Sequence, residues 1–487
     1  MNLKNILVFM SDQHTPLMSE YMGGLARTPV LKDMAQRGLN FEAAYTACPL
    51  CVPARMAFMS GRLPSKTGIL NNYTVLPDTV PTIAHAFAAA GYETVLVGRM
   101  HFVGENQRHG FMHRLVGDIT STEWKPTQAL TERCRGPYMK CFAEPGCTQI
   151  VGGGGSPVQE YDENVIEAAV EWLSKPHEKP QFIVVGTYGP HFPYIAPEDK
   201  YRYYKERVSL PAWFDDPPEY LDPALRVRVE RSTRDPEKAL GAQAAYCGMI
   251  ETIDGQIGTV RKKFFQYCEE LREKGVFLYT SDHGDQCGER RLFGKMSFFE
   301  KSVRIPLLME GDGIPTGIIR KDPVSLIDLI PTLCGMAEIQ APPGQDGQDI
   351  MIPDSARERA VISELYGIFG APGKFPEVEH MNSISRMVRK GRYKYITRAG
   401  FEEWDLLFDL EADPDECWNI IDDHKDVVEE LKEELSELPD PASVKSMLKF
   451  NWEVYDFMQL AQIPSRQLLD EYWVQTSARN LQIPVVV

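Results

Sequence analysis

The sequence predicts an α/β protein with a doubly wound, mixed but mostly parallel sheet, followed by a smaller antiparallel sheet and helix. Three observations carry this. Short apolar runs at 6–10, 93–97, 182–185, 276–280 and 305–309 alternate with helix-period segments, the pattern of a buried parallel sheet. Polar clusters stand just past several of these runs, where open α/β sheets bind ligands. From about residue 380 the texture changes to alternating stretches joined by turns. The expected division is a large α/β domain over 1–375 and an antiparallel subdomain with a tail over 376–487.

In order, the strand at 6–10 runs into Ser11-Asp12-Gln13-His14. Residues 28–38 predict a helix with Thr28 as cap, Pro29 at its first position and Gly38 at its end. A short strand is expected at 41–44. Pro53 suits the first turn of a helix, and Gly61 is a natural stop. Cys51 is therefore expected just before a helix N-terminus, where unpaired N–H groups welcome an anion, with Arg55 folding back beside it. A helix at 82–90 and the strand at 93–97 lead to Arg99 and His101.

Residues 104–160 read as an irregular insertion; Gly152 to Gly155 lack the Lys-Ser/Thr that makes a phosphate loop specific. Asp162 is expected to cap an amphipathic helix, and the strand at 182–185 precedes Gly189-Pro-His191. A second insertion at 195–238 is followed by a long helix near 240–265. The strand at 276–280 then leads into Asp282-His283-Gly284-Asp285, and 326–336 is a helix. Residues 386–396 and 404–409 read as antiparallel strands and 426–438 as a helix. The stretch 450–487 is expected to be helical with an extended tail. Its aromatic residues and terminal Ile-Pro-Val-Val-Val call for a packing partner, so a homo-oligomer through the tail is an expectation.

Composition narrows the class. The chain has 487 residues and a formal net charge of −17, which argues against nucleic acid or an anionic membrane as partner. No run approaches transmembrane length, and 6–10 is too short for a signal-peptide core. The ten cysteines form no dense framework. Cys134, Cys141 and Cys147 are close enough for a metal site, but no histidine lies at finger spacing. Reduced thiols, and so a cytoplasmic location, fit better.

Asp12, Gln13, Asp282 and His283 supply two carboxylates, an amide oxygen and an imidazole at two strand ends. Any one of them alone would read as a turn residue. Together they read as ligands for a divalent cation: Ca²⁺, Mg²⁺ or Mn²⁺ on donor hardness. Taken singly, His101 and His191 could be core histidines, Lys295 a surface lysine and Cys48 a packing thiol.

Cys51-Val-Pro53-Ala-Arg55 followed by Ser60-Gly61-Arg62 resembles the signature of the formylglycine sulfatases. So, in the right order, do Asp12-Gln13, Gly98-Arg99-Met-His101, Pro190-His191, Asp282-His283-Gly284 and Gly294-Lys295. Gly391-Arg-Tyr-Lys-Tyr and Leu407-Phe-Asp-Leu-Glu-Ala-Asp-Pro resemble that family's C-terminal subdomain. The resemblance implies an alkaline-phosphatase-like fold and hydrolysis of a small anionic sulfate ester, aryl, choline-like or sugar. It implies that a maturation enzyme oxidises Cys51 to formylglycine, whose hydrate joins Asp12, Gln13, Asp282 and His283 on one divalent metal, Ca²⁺ by family. Arg55 would hold the nucleophile, His191 would act as general acid and His101 as base. Lys295 would neutralise the sulfuryl and leaving oxygens and Arg99 would line the substrate site, while His109 either lines it too or serves its own loop.

Gln13 stands where a second aspartate is common in that family, His283 where Asn is usual, Ala54 where Ser is common and Arg99 where many relatives carry Lys. The Gln and His variants also occur in choline-sulfatase-like enzymes and in phosphonate monoester or phosphodiester hydrolases of the superfamily. A choline head group would want aromatic faces; Trp124, Tyr188 and Phe192 are available. The alternatives are thus a phosphonate monoester or phosphodiester hydrolase with the same machinery, and a non-catalytic anion-binding protein in which Cys51 stays a thiol.

Overall fold

The computed structural model describes residues 4–120, 136–352, 359–366 and 384–461. Eight strands form the main sheet: β1 (Lys4–Asp12), β2 (Leu39–Phe41), β3 (Glu93–Gly98), β4 (His113–Leu115), β5 (Gln181–Pro190), β6 (Lys274–Ser281), β7 (Leu307–Gly311) and β8 (Ile318–Arg320). Their order across the sheet is β8-β2-β7-β6-β1-β5-β3-β4. Only β7 runs against the others.

Both faces are covered, which is why the strands read as unbroken apolar runs rather than alternating ones. Ile6, Val8 and Met10 of β1 enter one core with Phe58, Phe87 and Leu278. Leu7 and Phe9, pointing the other way, enter a second with Val165, Ile257 and Phe277. The helices that supply these partners are α1 (Pro29–Arg37), α2 (Cys51–Ser60), α3 (Ile83–Ala89), α4 (Pro157–Trp172) and α5 (Pro236–Leu271). Asp235 caps α5 by accepting from the Glu237 N–H, Pro236 opens it, and Arg272 ends it in the left-handed conformation.

Several local expectations are corrected. The helix starting signal read at Asp162 belongs to Ser156, whose side chain accepts from the Gln159 N–H, with Pro157 next. Thr28 occupies the cap position of α1 without a side-chain bond to the helix; the N–H groups of Val30 and Leu31 go instead to the Asp254 carboxylate on α5. The 104–160 insertion contributes edge strand β4, and its Gly152–Gly153 pairs with Ile195–Ala196. The second insertion contains helices Glu198–Lys205 and Pro223–Arg231.

The small sheet has four antiparallel strands: β9 (Val361–Tyr366), β10 (Ile384–Lys390), β11 (Tyr393–Arg398) and β12 (Leu406–Asp409). It therefore takes its first strand from before residue 376. Helix Pro441–Ala461 follows; the rest of the expected tail lies outside the described residues. Among the described residues no helix is long and apolar enough to cross a membrane.

Candidate active site

Strands β6, β1, β5 and β3 are consecutive neighbours, so the residues at their carboxyl ends converge. β1 delivers Asp12 and Gln13, β6 delivers Asp282 and His283, β5 delivers His191, and β3 delivers Arg99 and His101. Gln13 and His101 turn away from their strands with φ of 67° and 58°. Such left-handed residues cost on the order of 1–3 kcal/mol each and cluster where function fixes the backbone. Helix α2 starts at Cys51 itself, not just after it, and stops at Gly61 with φ 66°.

The Asp12 and Asp282 carboxylates are held by arginines. Arg55 Nε donates to Asp282 Oδ2 at 2.9 Å and its Nη2 to Asp12 Oδ2 at 3.1 Å. Arg99 Nε donates to the same Asp12 oxygen at 2.5 Å and its Nη1 to Asp118 Oδ1 at 2.8 Å. Arg55 thus grips the two aspartates rather than Cys51. Burial alone would raise the Asp12 carboxyl, but these cations, Arg99 strongest, hold it well below the usual carboxylate range.

Asp12, Cys51, Asp282 and His283 form a buried group whose donor atoms all lie within 4.8 Å of one another. His283 Nδ1 donates to the Gly284 carbonyl at 3.0 Å, which leaves the Nε2 lone pair facing inward. That lone pair lies 3.8 Å from Asp12 Oδ1 and 3.7 Å from Asp282 Oδ2. Burial keeps His283 neutral. Three electron-rich donors aimed at one point repel each other unless a cation lies between them, so the donor set fits a divalent ion with oxygen preference. Gln13 flanks this group: its Oε1 accepts from Lys295 Nζ at 2.6 Å and its Nε2 donates to Asp285 Oδ2 at 2.6 Å.

The two expected proton carriers have defined tautomers. His191 Nδ1 donates to the Phe192 carbonyl, so Nε2 accepts from Lys295 Nζ at 2.6 Å. Arg99 Nη2 donates to His101 Nδ1 at 2.8 Å, which leaves the proton of neutral His101 on Nε2. Burial, then Lys295 for His191 and Arg99 for His101, push both imidazoles well below their ordinary value. Each histidine is therefore neutral in this state.

Cys51 is 2% exposed, with Sγ 3.2 Å from His283 Nε2. The helix start would favour a thiolate, but burial and the Asp12 carboxylate push the thiol up to about 11. An unconverted Cys51 should therefore resist iodoacetamide at pH 8 in the folded protein and react fully after unfolding, read by peptide mass spectrometry. Rapid native labelling would contradict this reading of the site.

His109 is not gathered with the others. Its ring packs on Phe102 with centroids 4.6 Å apart, and Nδ1 lies 3.9 Å from Asp78. The aromatic faces of Tyr188 and Phe192 meet the protein's own cations, Arg99 at 4.6 Å and Lys295 at 5.2 Å. Trp124 and Cys134 lie outside the described residues, and Cys141 and Cys147 fall in different apolar clusters.

Sequence reasoning missed the groups that brace the site. Asp118 holds Arg99 and also accepts from the His101 N–H at 2.9 Å. Asp285 accepts from Gln13, Tyr194 and the N–H groups of Cys287 and Gly294. Asp162 accepts from the N–H groups of Tyr188 and Gly189 at 2.7 and 2.9 Å. Burial still pushes its carboxyl up to about 7. It shapes the end of β5 just before His191.

Known proteins share this architecture. A family profile described as Sulfatase matches residues 4–339, and one described as N-sulphoglucosamine sulphohydrolase, C-terminal, matches 288–440. A choline-sulfatase of Rhizobium meliloti is 32% identical over 88% of this chain and 84% of its own. An arylsulfatase of Clostridium perfringens is 29% identical over 89% and 92%. Among solved structures, the phosphonate monoester hydrolase of Agrobacterium radiobacter has a TM-score of 0.73 at 22% identity, covering 91% of this chain and 95% of that one. A 2-O GAG sulfatase has 0.67 at 23%, covering 91% and 96%; these two likenesses speak to the fold alone. The profile spans most of the chain, including the ends of β1, β3, β5 and β6, and with the 32% identity it shows that the chain belongs to the sulfatase family and is a sulfuric ester hydrolase.

Proposed function

We propose that this enzyme hydrolyses a sulfate monoester of a small alcohol or phenol after Cys51 has been converted to formylglycine, with Asp12, Gln13, Asp282 and His283 holding one divalent cation, Ca²⁺ before Mn²⁺ or Mg²⁺. The observation that carries this is the buried group of Asp12, Cys51, Asp282 and His283. Without a cation, burial and the Asp12 carboxylate push its thiol up to about 11, a poor state for thiolate chemistry. Formylglycine supplies a hydrated aldehyde as nucleophile, and the cation supplies Lewis-acid neutralisation of negative charge.

The chain's own residues do the rest. Arg55 grips Asp12 and Asp282, and Arg99 spends its donors on Asp12, Asp118, Thr120 and His101. Lys295 is left to neutralise charge on the ester and leaving oxygens. Since Lys295 Nζ already shares a proton with His191 Nε2, the pair acts together as donor to the leaving alcohol. His101 carries its proton on Nε2 at rest, so it begins as a hydrogen-bond donor, and it serves as base only in the other neutral tautomer, with the proton on Nδ1 and the Arg99 contact released.

Charge supports a monoanionic substrate. Asp12, Asp118, Asp282 and Asp285 face Arg55, Arg99 and Lys295, all buried. One net negative charge remains, and a divalent ion turns it into one net positive. A sulfate monoester and a phosphonate monoester both carry a single charge, so rates must separate them. Turnover of an aryl sulfate should exceed that of the matching aryl phosphonate, and Cys51 should be found as the aldehyde by mass spectrometry of protein from its native host. Faster phosphonate turnover would reverse the substrate reading. The nine described cysteines are free, which supports a reducing, cytoplasmic setting.

A further inference from the structure

We propose that Arg228, on the helix Pro223–Arg231 within the second insertion, is the positioning residue that sets Lys295 in its working place. The proposal rests on the role given above to Lys295. The segment from Phe293 to Met296 does not hold itself in place: Gly294 and Met296 both have positive φ, 69° and 65°. The Gly294 carbonyl accepts from the Gln286 N–H, and the other three carbonyls are collected by one guanidinium. Arg228 Nη2 donates to the Lys295 carbonyl at 2.6 Å and the Phe293 carbonyl at 3.1 Å, and Nη1 donates to the Met296 carbonyl at 2.8 Å.

Three carbonyls within four residues are thus fixed by a planar donor fork, which a lysine ammonium cannot reproduce. Arg228 is 6% exposed, and its Nε donates to Glu144 Oε2 at 3.2 Å, so the two form a largely buried ion pair. Glu144 in turn closes over the loop: a Cβ on Gly294 would lie 2.6 Å from Glu144 Oε1. The two insertions therefore meet as an ion pair on the outer side of the loop. On the inner side Lys295 Nζ reaches Gln13 and His191, both at 2.6 Å. A shift of the loop by about 1 Å would break both contacts, and misplacement on that scale costs roughly 100-fold in rate.

The test is a double-mutant cycle in the matured, metal-loaded enzyme, using aryl sulfates with good and poor leaving groups. Arg228→Gln should lower kcat roughly 10–100-fold, more for the poor leaving group, with KM little changed. In a Lys295→Ala background the same change should cost less than about twofold. Arg228→Lys should recover only part of the loss. Should Arg228→Gln fail to fold, Glu144→Gln, which keeps the arginine, should show a smaller loss that likewise vanishes without Lys295. Equal losses in both backgrounds, or no leaving-group dependence, would overturn the proposal while leaving Lys295 intact. A harmless Lys295→Ala would instead remove the reading on which it rests.

Discussion

Replacing Cys51 by alanine should abolish turnover, by at least about four orders of magnitude in kcat, the scale on which enzymes lose rate with their nucleophile. The loss should be chemical rather than structural. Cys51 is a small side chain at the first position of α2, and removing one buried sulfur costs on the order of 1–2 kcal/mol. The thiol carries no charge at neutral pH, being pushed up to about 11, so no ion is stranded. Asp12, Asp282 and His283 remain, braced by Arg55, Arg99 and the Gly284 carbonyl. Binding of an unreacted sulfate ester should therefore survive within about tenfold, read by calorimetry on the variant. An alanine variant that retains turnover would eliminate both the sulfatase and the phosphonate hydrolase readings.

Much of this site was legible because buried parallel strands announce themselves as continuous apolar runs, and their ends fix where ligands bind. Asp12, Arg99, His191 and Asp282 each follow such a run, and the sheet order then brings the runs side by side. The bracing groups were not legible for a physical reason. A single aspartate in an irregular loop, such as Asp118, has the same local signature whether it caps a turn or holds a buried arginine. Arg228 lies in a helix rich in arginine, Leu225-Arg-Val-Arg228-Val-Glu-Arg231, where only the tertiary structure says which one is buried. Asp162 resembles a helix cap, but the stronger signal, Ser156-Pro157, stands close by and sets the start of α4. Arg55 was expected beside Cys51, four residues away; the helix spacing was right, but the stronger attraction of two carboxylates decided its direction.

Asp12→Asn should be the most damaging change that preserves shape. Asp12 Oδ2 takes donors from both Arg55 and Arg99 while Oδ1 faces His283 Nε2 at 3.8 Å. An asparagine must turn its NH₂ either toward the two guanidiniums or toward the cation position. The first orientation sets donor against donor, and the second sets a donor against a cation. Either way two buried arginines lose their shared negative partner, and breaking a buried charge pair costs about 3–5 kcal/mol. Wild-type protein should gain thermal stability when Ca²⁺ or Mn²⁺ is restored after chelation, about 2.7 kcal/mol at a hundredfold excess over Kd. Asp12→Asn should lose that metal-dependent gain and at least about a thousandfold in kcat, since the cation's charge stabilisation goes with it. Mass spectrometry of Cys51 in the same sample separates this outcome from failed maturation. If the variant kept both the metal-induced shift and its activity, the cation would have to be held elsewhere, and the converging donors at the ends of β1 and β6 would need another explanation.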